Sequence, residues 1–134
     1  MNRPPLDQSI VFLKTGDLEI TRHFYEQVCG LELVLNQETC HIFQLCSTGF
    51  LGFCHSKTEI IRPEATIITL VTSEVESWHA HLRDQGCWLD GDPRVNPQYQ
   101  ILHFYTRDPN GYSVEVQKFL DPRWRAAEQV GPSR

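Results

Sequence analysis

The chain has 134 residues, of which 40% are hydrophobic and 22% charged, a composition typical of one compact domain with a substantial core. Its formal net charge of −5 argues against a general nucleic-acid binder, because such proteins present a basic surface. No apolar run is long enough to span a membrane, and the first residues lack the apolar stretch of a signal peptide. We therefore expect a cytoplasmic protein that has neither nucleic acid nor a membrane as its partner.

The first half of the chain begins with a strand pattern and a helix pattern. Residues 9–15 favour a strand, Asp17 can cap the helix that follows, and Gly30 stands where a helix ends with a left-handed residue. Three further strands are predicted at residues 31–35, 39–46 and 50–55.

The second half repeats this order. Residues 65–71 favour a strand, Ser73 and Glu76 have the spacing of a capping box at the start of a helix, and Gly86 can end that helix. The remaining predicted strands are residues 87–89, 100–106 and 112–119, and the Asp-Pro-Asn-Gly turn at 108–111 joins the last two.

The repeated unit is therefore strand, helix, strand, strand, strand. We predict a single domain over 1–134, in which a linker at 57–64 joins the two modules. An apolar, aromatic tail follows the last strand and needs a surface on which to bury, and we expect its end at 125–134 to fray. The modules are residues 8–56 and 65–119, and the tail is residues 120–134.

The five cysteines are odd in number and contain no Cys-x-x-Cys pair, which argues against a disulfide framework or a structural zinc site. We predict reduced thiols that pack as small hydrophobic side chains. In particular, we expect Cys54 to face the helices. The five are Cys29, Cys40, Cys46, Cys54 and Cys87.

Five motifs follow one another along the chain: Gly16–Glu19, Phe24–Tyr25, Cys29–Leu33, Ser73–Trp78 and Asp108–Val116. In this order they resemble the vicinal oxygen chelate superfamily, which includes glyoxalase I, bleomycin-resistance proteins and extradiol dioxygenases. The resemblance extends over residues 8–118. It implies an α+β fold in which two βαβββ modules form curled mixed sheets around a cup, with the helices outside, and it implies a homodimer.

The resemblance also implies a divalent metal held by a His on the first strand of each module and a Glu on the last strand. The matching first-strand positions are Ile10 and Ile67, and an alignment of Gly49 with Gly111 places Phe53 opposite Glu115 in the repeat. Only Glu115 is a ligand type, and one carboxylate does not hold a divalent ion against water. We therefore predict no metal and no other cofactor.

A shifted metal site is the alternative. His103 and His55 could join Glu115 as a set of two histidines and one carboxylate, if neighbouring strands bring them together. The other interpretation is that these side chains only line the cup and hydrogen-bond to one another or to water.

Alternation along the last strand sets Glu115 on the face opposite Val114 and Val116. There Glu115 is either a solvated structural residue or a catalytic general base, because burial in an apolar cup would raise the pKa of its carboxyl group. The side chains expected to bind a ligand beside it are Phe12, Phe53, His55, His103, Tyr105, Ser113 and Gln117.

These observations favour a protein that binds a small, partly apolar molecule around Glu115 without a metal. Two enzymatic alternatives stand beside it. One is a metal-dependent lyase, isomerase or dioxygenase with a shifted site, and the other is a metal-free enzyme that uses Glu115 as a base. In a third alternative the protein's own side chains fill the cup.

Overall fold

The computed structural model describes residues 2–125, and the chain falls into two units of similar architecture. The first unit comprises the residues up to Ala65 together with 108–112, and the second comprises 66–107 together with the residues from 113 onward. The sequence predicts fraying at 125–134. Of these residues only Arg125 is described, and the others lie outside the described part of the chain. None of the helices within residues 2–125 is long and apolar enough to cross a membrane.

The first unit is a four-stranded mixed sheet with one short helix. Its strands lie in the order β1-β4-β3-β2, with β1 parallel to β4 and the other pairs antiparallel. Helix α1 continues into a single π-helical turn, and a 3₁₀ turn follows the last strand. The elements are β1 (Ser9–Thr15), α1 (Leu18–Arg22), the π-helical turn (His23–Val28), β2 (Glu32–Asn36), β3 (Cys40–Cys46), β4 (Gly49–His55) and the 3₁₀ turn (Pro63–Ala65).

The predicted signals around α1 are confirmed. The Asp17 side chain accepts a hydrogen bond from the backbone nitrogen of Ile20 at 3.1 Å, and Gly30 has a φ of +75°. The core of this unit forms where Tyr25 packs on Phe43 and Phe53, all three fully buried.

The second unit repeats the sheet order as β5-β8-β7-β6, with β5 parallel to β8. Two local predictions were wrong. The N-cap of α2 is Glu74, whose backbone nitrogen bonds to Thr72 Oγ1, so Ser73 does not form a capping box. Residues 87–89 form one isolated bridge, Leu89 to Thr106. The elements are β5 (Ile67–Val71), α2 (Val75–Asp84), β6 (Arg94–Asn96), β7 (Ile101–Arg107) and β8 (Ser113–Phe119).

The tail after β8 has a partner within its own unit. The ring of Trp124 stacks on that of Phe119, with centroids 4.0 Å apart and planes 17° apart. Trp124 nevertheless remains 55% exposed and Leu120 42% exposed, so this contact covers only part of the apolar surface of the tail.

The turn at 108–111 reverses the chain as predicted, but its side chains also form a buried network within the first unit. Tyr25 donates its hydroxyl hydrogen to Asp108 Oδ2 at 2.8 Å, and Asp108 Oδ1 accepts from the backbone nitrogens of Asn110 and Tyr112, each at 2.9 Å. Asn110 Nδ2 donates to Thr21 Oγ1 at 3.0 Å. The motif therefore anchors a loop as well as turning a hairpin.

The expected state of two cysteines was wrong. Cys40 and Cys54 are directly opposite each other on β3 and β4 and form a disulfide. Cys54 therefore lies on the face opposite that of its neighbour Phe53, whose ring contacts the helix. Cys29, Cys46 and Cys87 are not part of a disulfide, as predicted.

Candidate functional site

The second sheet carries its apolar and polar side chains on opposite faces. Val114 and Val116 of β8 are at most 1% exposed, and Phe104 of β7 packs edge-on against His79 of α2, with ring centroids 4.9 Å apart. Because strand side chains alternate, Glu115 points to the face that α2 does not cover. The predicted orientation of this carboxylate is therefore correct.

Glu115 is the centre of a hydrogen-bonded cluster formed by three adjacent strands. Thr69 Oγ1 donates to Oε1 at 3.0 Å, and His103 Nδ1 lies 2.8 Å from Oε2. The amide nitrogen of Gln117, in the orientation that satisfies both side chains, donates to Oε2 at 3.0 Å and to Oε1 at 3.1 Å. Tyr105 lies directly opposite Glu115 on β7. Three side chains therefore hydrogen-bond to one carboxylate, and a fourth lies opposite it in the sheet.

The cluster is largely removed from water. Glu115 is 7% exposed and His103 is 8% exposed. Burial of a carboxylate costs free energy unless hydrogen bonds replace its hydration, and Thr69, His103 and Gln117 supply that replacement. Burial, followed by the negative charge of Glu115, raises the pKa of Tyr105 above its ordinary value.

An ion pair lies beside the cluster. The guanidinium of Arg94 binds both carboxylate oxygens of Asp90, at 2.6 and 2.9 Å, and this hydrogen bonding is the main cause that lowers the pKa of Asp90. Asp90 also accepts from the backbone nitrogen of Tyr105 at 2.9 Å. Arg94 is directly opposite His103 in the sheet. The charge of Arg94 is therefore already offset where it approaches the imidazole.

Apolar surface adjoins the polar cluster on the same face. Ile67 and Val71 flank Thr69 on β5 and are 53% and 56% exposed. Ser113, which the sequence predicted as a neighbour of Glu115, is opposite Ile67 and is buried. A buried polar centre beside exposed aliphatic side chains is typical of a small-molecule site.

The first sheet places the other predicted ligand residues differently. Phe12 is 51% exposed and its ring lies over Gly52, where a Cβ would come within 2.5 Å of the ring. Phe53 is fully buried and stacks on Tyr25, so its predicted role in lining the cup was wrong. His55 is exposed and shares the face of Phe53, because the two residues are two apart on β4.

The register of the strands explains the error at Phe53. Ile10 is opposite Phe50 in the first sheet, and Ile67 is opposite Ser113 in the second. Two residues further along each last strand, the counterpart of Glu115 is therefore Gly52. The alignment of Gly49 with Gly111 was therefore wrong by one residue. A shift of one residue along a strand moves a side chain to the opposite face of the sheet.

The residues present do not fit the metal centre that the family resemblance implies. Ile10, Ile67 and Gly52 offer no side-chain donor, and Glu115 already hydrogen-bonds to three side chains. Within residues 2–125, no group of three or more His, Cys, Asp or Glu side chains is arranged to hold a metal ion.

Sequence reasoning missed Thr69 as a member of the cluster and gave Arg94 no specific partner. The signal for Thr69 was available, because it is two residues after Ile67 on the same strand and therefore shares its face. The pairing of Arg94 with Asp90 could not be predicted from a strand pattern. Arg94 begins β6, which has only three residues, too few to show a clear alternation.

Residues 9–116 match the family model that describes the glyoxalase/bleomycin resistance protein/dioxygenase superfamily. The chain belongs to this superfamily. Comparison with curated protein sequences finds no match. The resemblance predicted from the motifs is therefore confirmed at the level of the superfamily.

Solved structures of superfamily proteins share the fold. A glyoxalase/bleomycin resistance protein/dioxygenase from Nocardioides has a TM-score of 0.75 at 18% identity, with 94% of this chain and 91% of that chain covered. Lactoylglutathione lyase from Agrobacterium tumefaciens has a TM-score of 0.72 at 23% identity, with 91% and 100% covered. A putative glyoxalase family protein from Bacillus anthracis has a TM-score of 0.73 at 17% identity, with 89% and 99% covered. At these identities the likeness establishes the fold alone.

Proposed function

We propose that this superfamily member binds a small, partly apolar molecule on the open face of its second sheet, around Glu115, without a divalent metal. The observation that carries the proposal is the buried carboxylate cluster beside exposed Ile67 and Val71. A sheet face that served only stability would be expected to bury aliphatic side chains here, because a buried polar cluster gains little over a well-packed apolar one.

The proposed independence from metal rests on the donor set. Ion binding would require Glu115 to give up hydrogen bonds from Thr69 and His103, and no carboxylate or imidazole occupies the counterpart positions Ile10, Ile67 and Gly52. A divalent ion of this type needs several N or O ligands to compete with water.

The similar structure from Agrobacterium tumefaciens is named as a lyase, and the superfamily's description includes resistance proteins and dioxygenases. This range leaves both binding and catalysis open to its members. For this chain we favour binding, in a homodimer.

Metal content and ligand binding test the proposal together. Untagged protein is analysed by mass spectrometry of its metals and by thermal unfolding, before and after dialysis against a chelator. We expect substoichiometric metal and an unchanged melting temperature. One equivalent of a transition metal per chain, whose loss lowers the melting temperature, would refute the metal-independent site.

Ligand binding is then screened by thermal shift with a library of small, partly apolar compounds. Glu115→Gln should reduce the shift produced by any hit, and Glu76→Gln, which changes an exposed glutamate on α2, should not. A hit that shifts wild type and Glu115→Gln equally would place binding elsewhere.

A further inference from the structure

The carboxylate of Glu115 has little acceptor capacity left for a ligand. A carboxylate offers about four lone-pair sites. Thr69 occupies one at Oε1, His103 occupies one at Oε2, and the amide nitrogen of Gln117 reaches both oxygens. Glu115 is therefore poorly placed to accept a proton or a hydrogen bond from a bound molecule.

The imidazole of His103 differs in this respect. Its Nδ1 faces Glu115 Oε2 at 2.8 Å, and a carboxylate accepts only, so Nδ1 carries the hydrogen. Within residues 2–125, Nε2 has no hydrogen-bonding partner, although His103 is only 8% exposed. In the neutral ring Nε2 then bears a lone pair.

The groups around the imidazole keep it in this orientation. Glu115 bonds to Nδ1, and the ring of Tyr105 contacts the imidazole edge-on with centroids 5.5 Å apart. Arg94 of β6 is opposite His103, but its charge is paired with Asp90. A carboxylate that fixes one ring nitrogen while the other stays available is the arrangement by which a third group orients a base.

We propose that His103 contacts the ligand through Nε2 and that Glu115 is a positioning residue that acts through His103. The ligand class is a small molecule with an aliphatic or aromatic body and a weakly acidic O–H or N–H donor. Its donor bonds to Nε2, and its body lies on Ile67 and Val71, which are exposed on the same face. This inference rests on the proposed small-molecule site and assigns its contact group.

The tautomer of His103 is measured first, on the full chain without any ligand. Nitrogen-15 NMR of labelled protein, with the His103 signals assigned by their loss in His103→Asn, should show a protonated Nδ1 and a bare Nε2. Glu115→Gln should shift this ring toward the Nε2–H tautomer, and Glu76→Gln should not. A wild-type ring protonated at Nε2 would overturn the assignment whether or not the protein binds small molecules.

Phenol, which combines an aromatic body with one weakly acidic hydroxyl, is the binding probe. His103→Asn keeps an N–H toward Glu115 but lacks the far acceptor, so we expect it to weaken phenol binding about tenfold, the value of one good hydrogen bond. His23→Asn, an exposed histidine, is the control.

The coupling of the two variants separates positioning from contact. Glu115→Gln alone should weaken phenol binding, but in the His103→Asn background it should have no further effect. Two effects that multiply would mean that Glu115 contacts the ligand itself, and would refute its positioning role. Absence of saturable phenol binding to a wild type with bare Nε2 would refute the ligand class.

Discussion

Replacement of Asp108 by alanine should be among the most destabilising single changes in the first unit. Its carboxylate accepts from the hydroxyl of Tyr25 at 2.8 Å and from the backbone nitrogens of Asn110 and Tyr112 at 2.9 Å. Asp108 is 5% exposed and Tyr25 is fully buried. Asp108→Ala removes three short hydrogen bonds and leaves the Tyr25 hydroxyl without this partner.

The magnitude follows from these contacts. Three hydrogen bonds contribute roughly 1 kcal/mol each, and a buried unsatisfied hydroxyl costs about 1–3 kcal/mol. Burial raises the pKa of Asp108, which shows that the charged form is held at a cost and reduces the loss when the carboxylate is removed. We expect the free energy of unfolding to fall by about 3–5 kcal/mol, a large part of the roughly 5–15 kcal/mol of a typical domain.

Urea unfolding followed by circular dichroism measures the change, with Asp92→Ala, an exposed aspartate, as the control. Asp108→Asn should cost less, since its amide oxygen can still accept from the two backbone nitrogens. In the Tyr25→Phe background Asp108→Ala should cost about 1–3 kcal/mol less than in wild type, because no hydroxyl is stranded. A loss below 1 kcal/mol for Asp108→Ala, or strict additivity with Tyr25→Phe, would refute the reasoning.

Three further predictions concern the first unit. Phe53→Ala should lower the free energy of unfolding by about 3–5 kcal/mol in urea titrations without weakening phenol binding, because Phe53 is a core residue; weakened binding in a folded variant would contradict this. Burial and Asp108 hold the pKa of Tyr25 well above 10, so the unfolded chain loses its proton first and stability should fall above pH 10, less so in Tyr25→Phe. Reductant should lower the melting temperature of wild type but not of a Cys40→Ala/Cys54→Ala variant, since a bridge with a sequence separation of 14 is worth about 3 kcal/mol; equal responses would mean that the bridge does not form in solution.

The fold could be predicted because its signals are local and occur twice. The capping aspartate Asp17, the left-handed Gly30 and Gly86, and the alternation around Glu115 each determine a helix end or a strand face within a few residues. The order of these signals then predicts two βαβββ modules, and the family match over residues 9–116 confirms the superfamily.

The pairing register of the strands could not be predicted in the same way. This caused two errors, the expected position of Phe53 and the expected state of Cys40 and Cys54. A β-bulge lies between Gln44 and Cys46, so the hairpin of β3 and β4 pairs Cys40 with Cys54. Continuation of the turn pairing of Cys46 with Gly49 without that bulge would have set each cysteine opposite a histidine. A one-residue irregularity has no composition signal, yet it decides which side chains meet and which face they share.

The network around the 108–111 turn was also beyond local reasoning. Its sequence predicts a tight reversal whatever lies beneath it, whereas the hydrogen bond from Tyr25 joins residues 83 positions apart. Such partners become visible only when the chain has folded, because turn chemistry fixes backbone angles and not the direction of a buried carboxylate.

A comparison of corresponding positions in the two sheets explains why only the second sheet is proposed as the ligand-binding face. By register, Phe12 and Gly52 in the first sheet stand where Thr69 and Glu115 stand in the second. The pair Cys40 and Cys54 likewise corresponds to His103 and Gln117.

Each of these four polar side chains of the second sheet therefore corresponds to an apolar residue or to a disulfide-bonded cysteine in the first sheet. Loss of the side chain at Gly52 makes room for the ring of Phe12, and the disulfide ties the two strands at the position where the second sheet holds an imidazole. On this face the first sheet is apolar and disulfide-bonded, whereas the second sheet carries polar side chains. The second sheet alone can therefore supply the groups that recognise a ligand. On this argument, changes that abolish binding should concentrate on β5, β7 and β8, and changes on the matching face of the first sheet should alter stability alone.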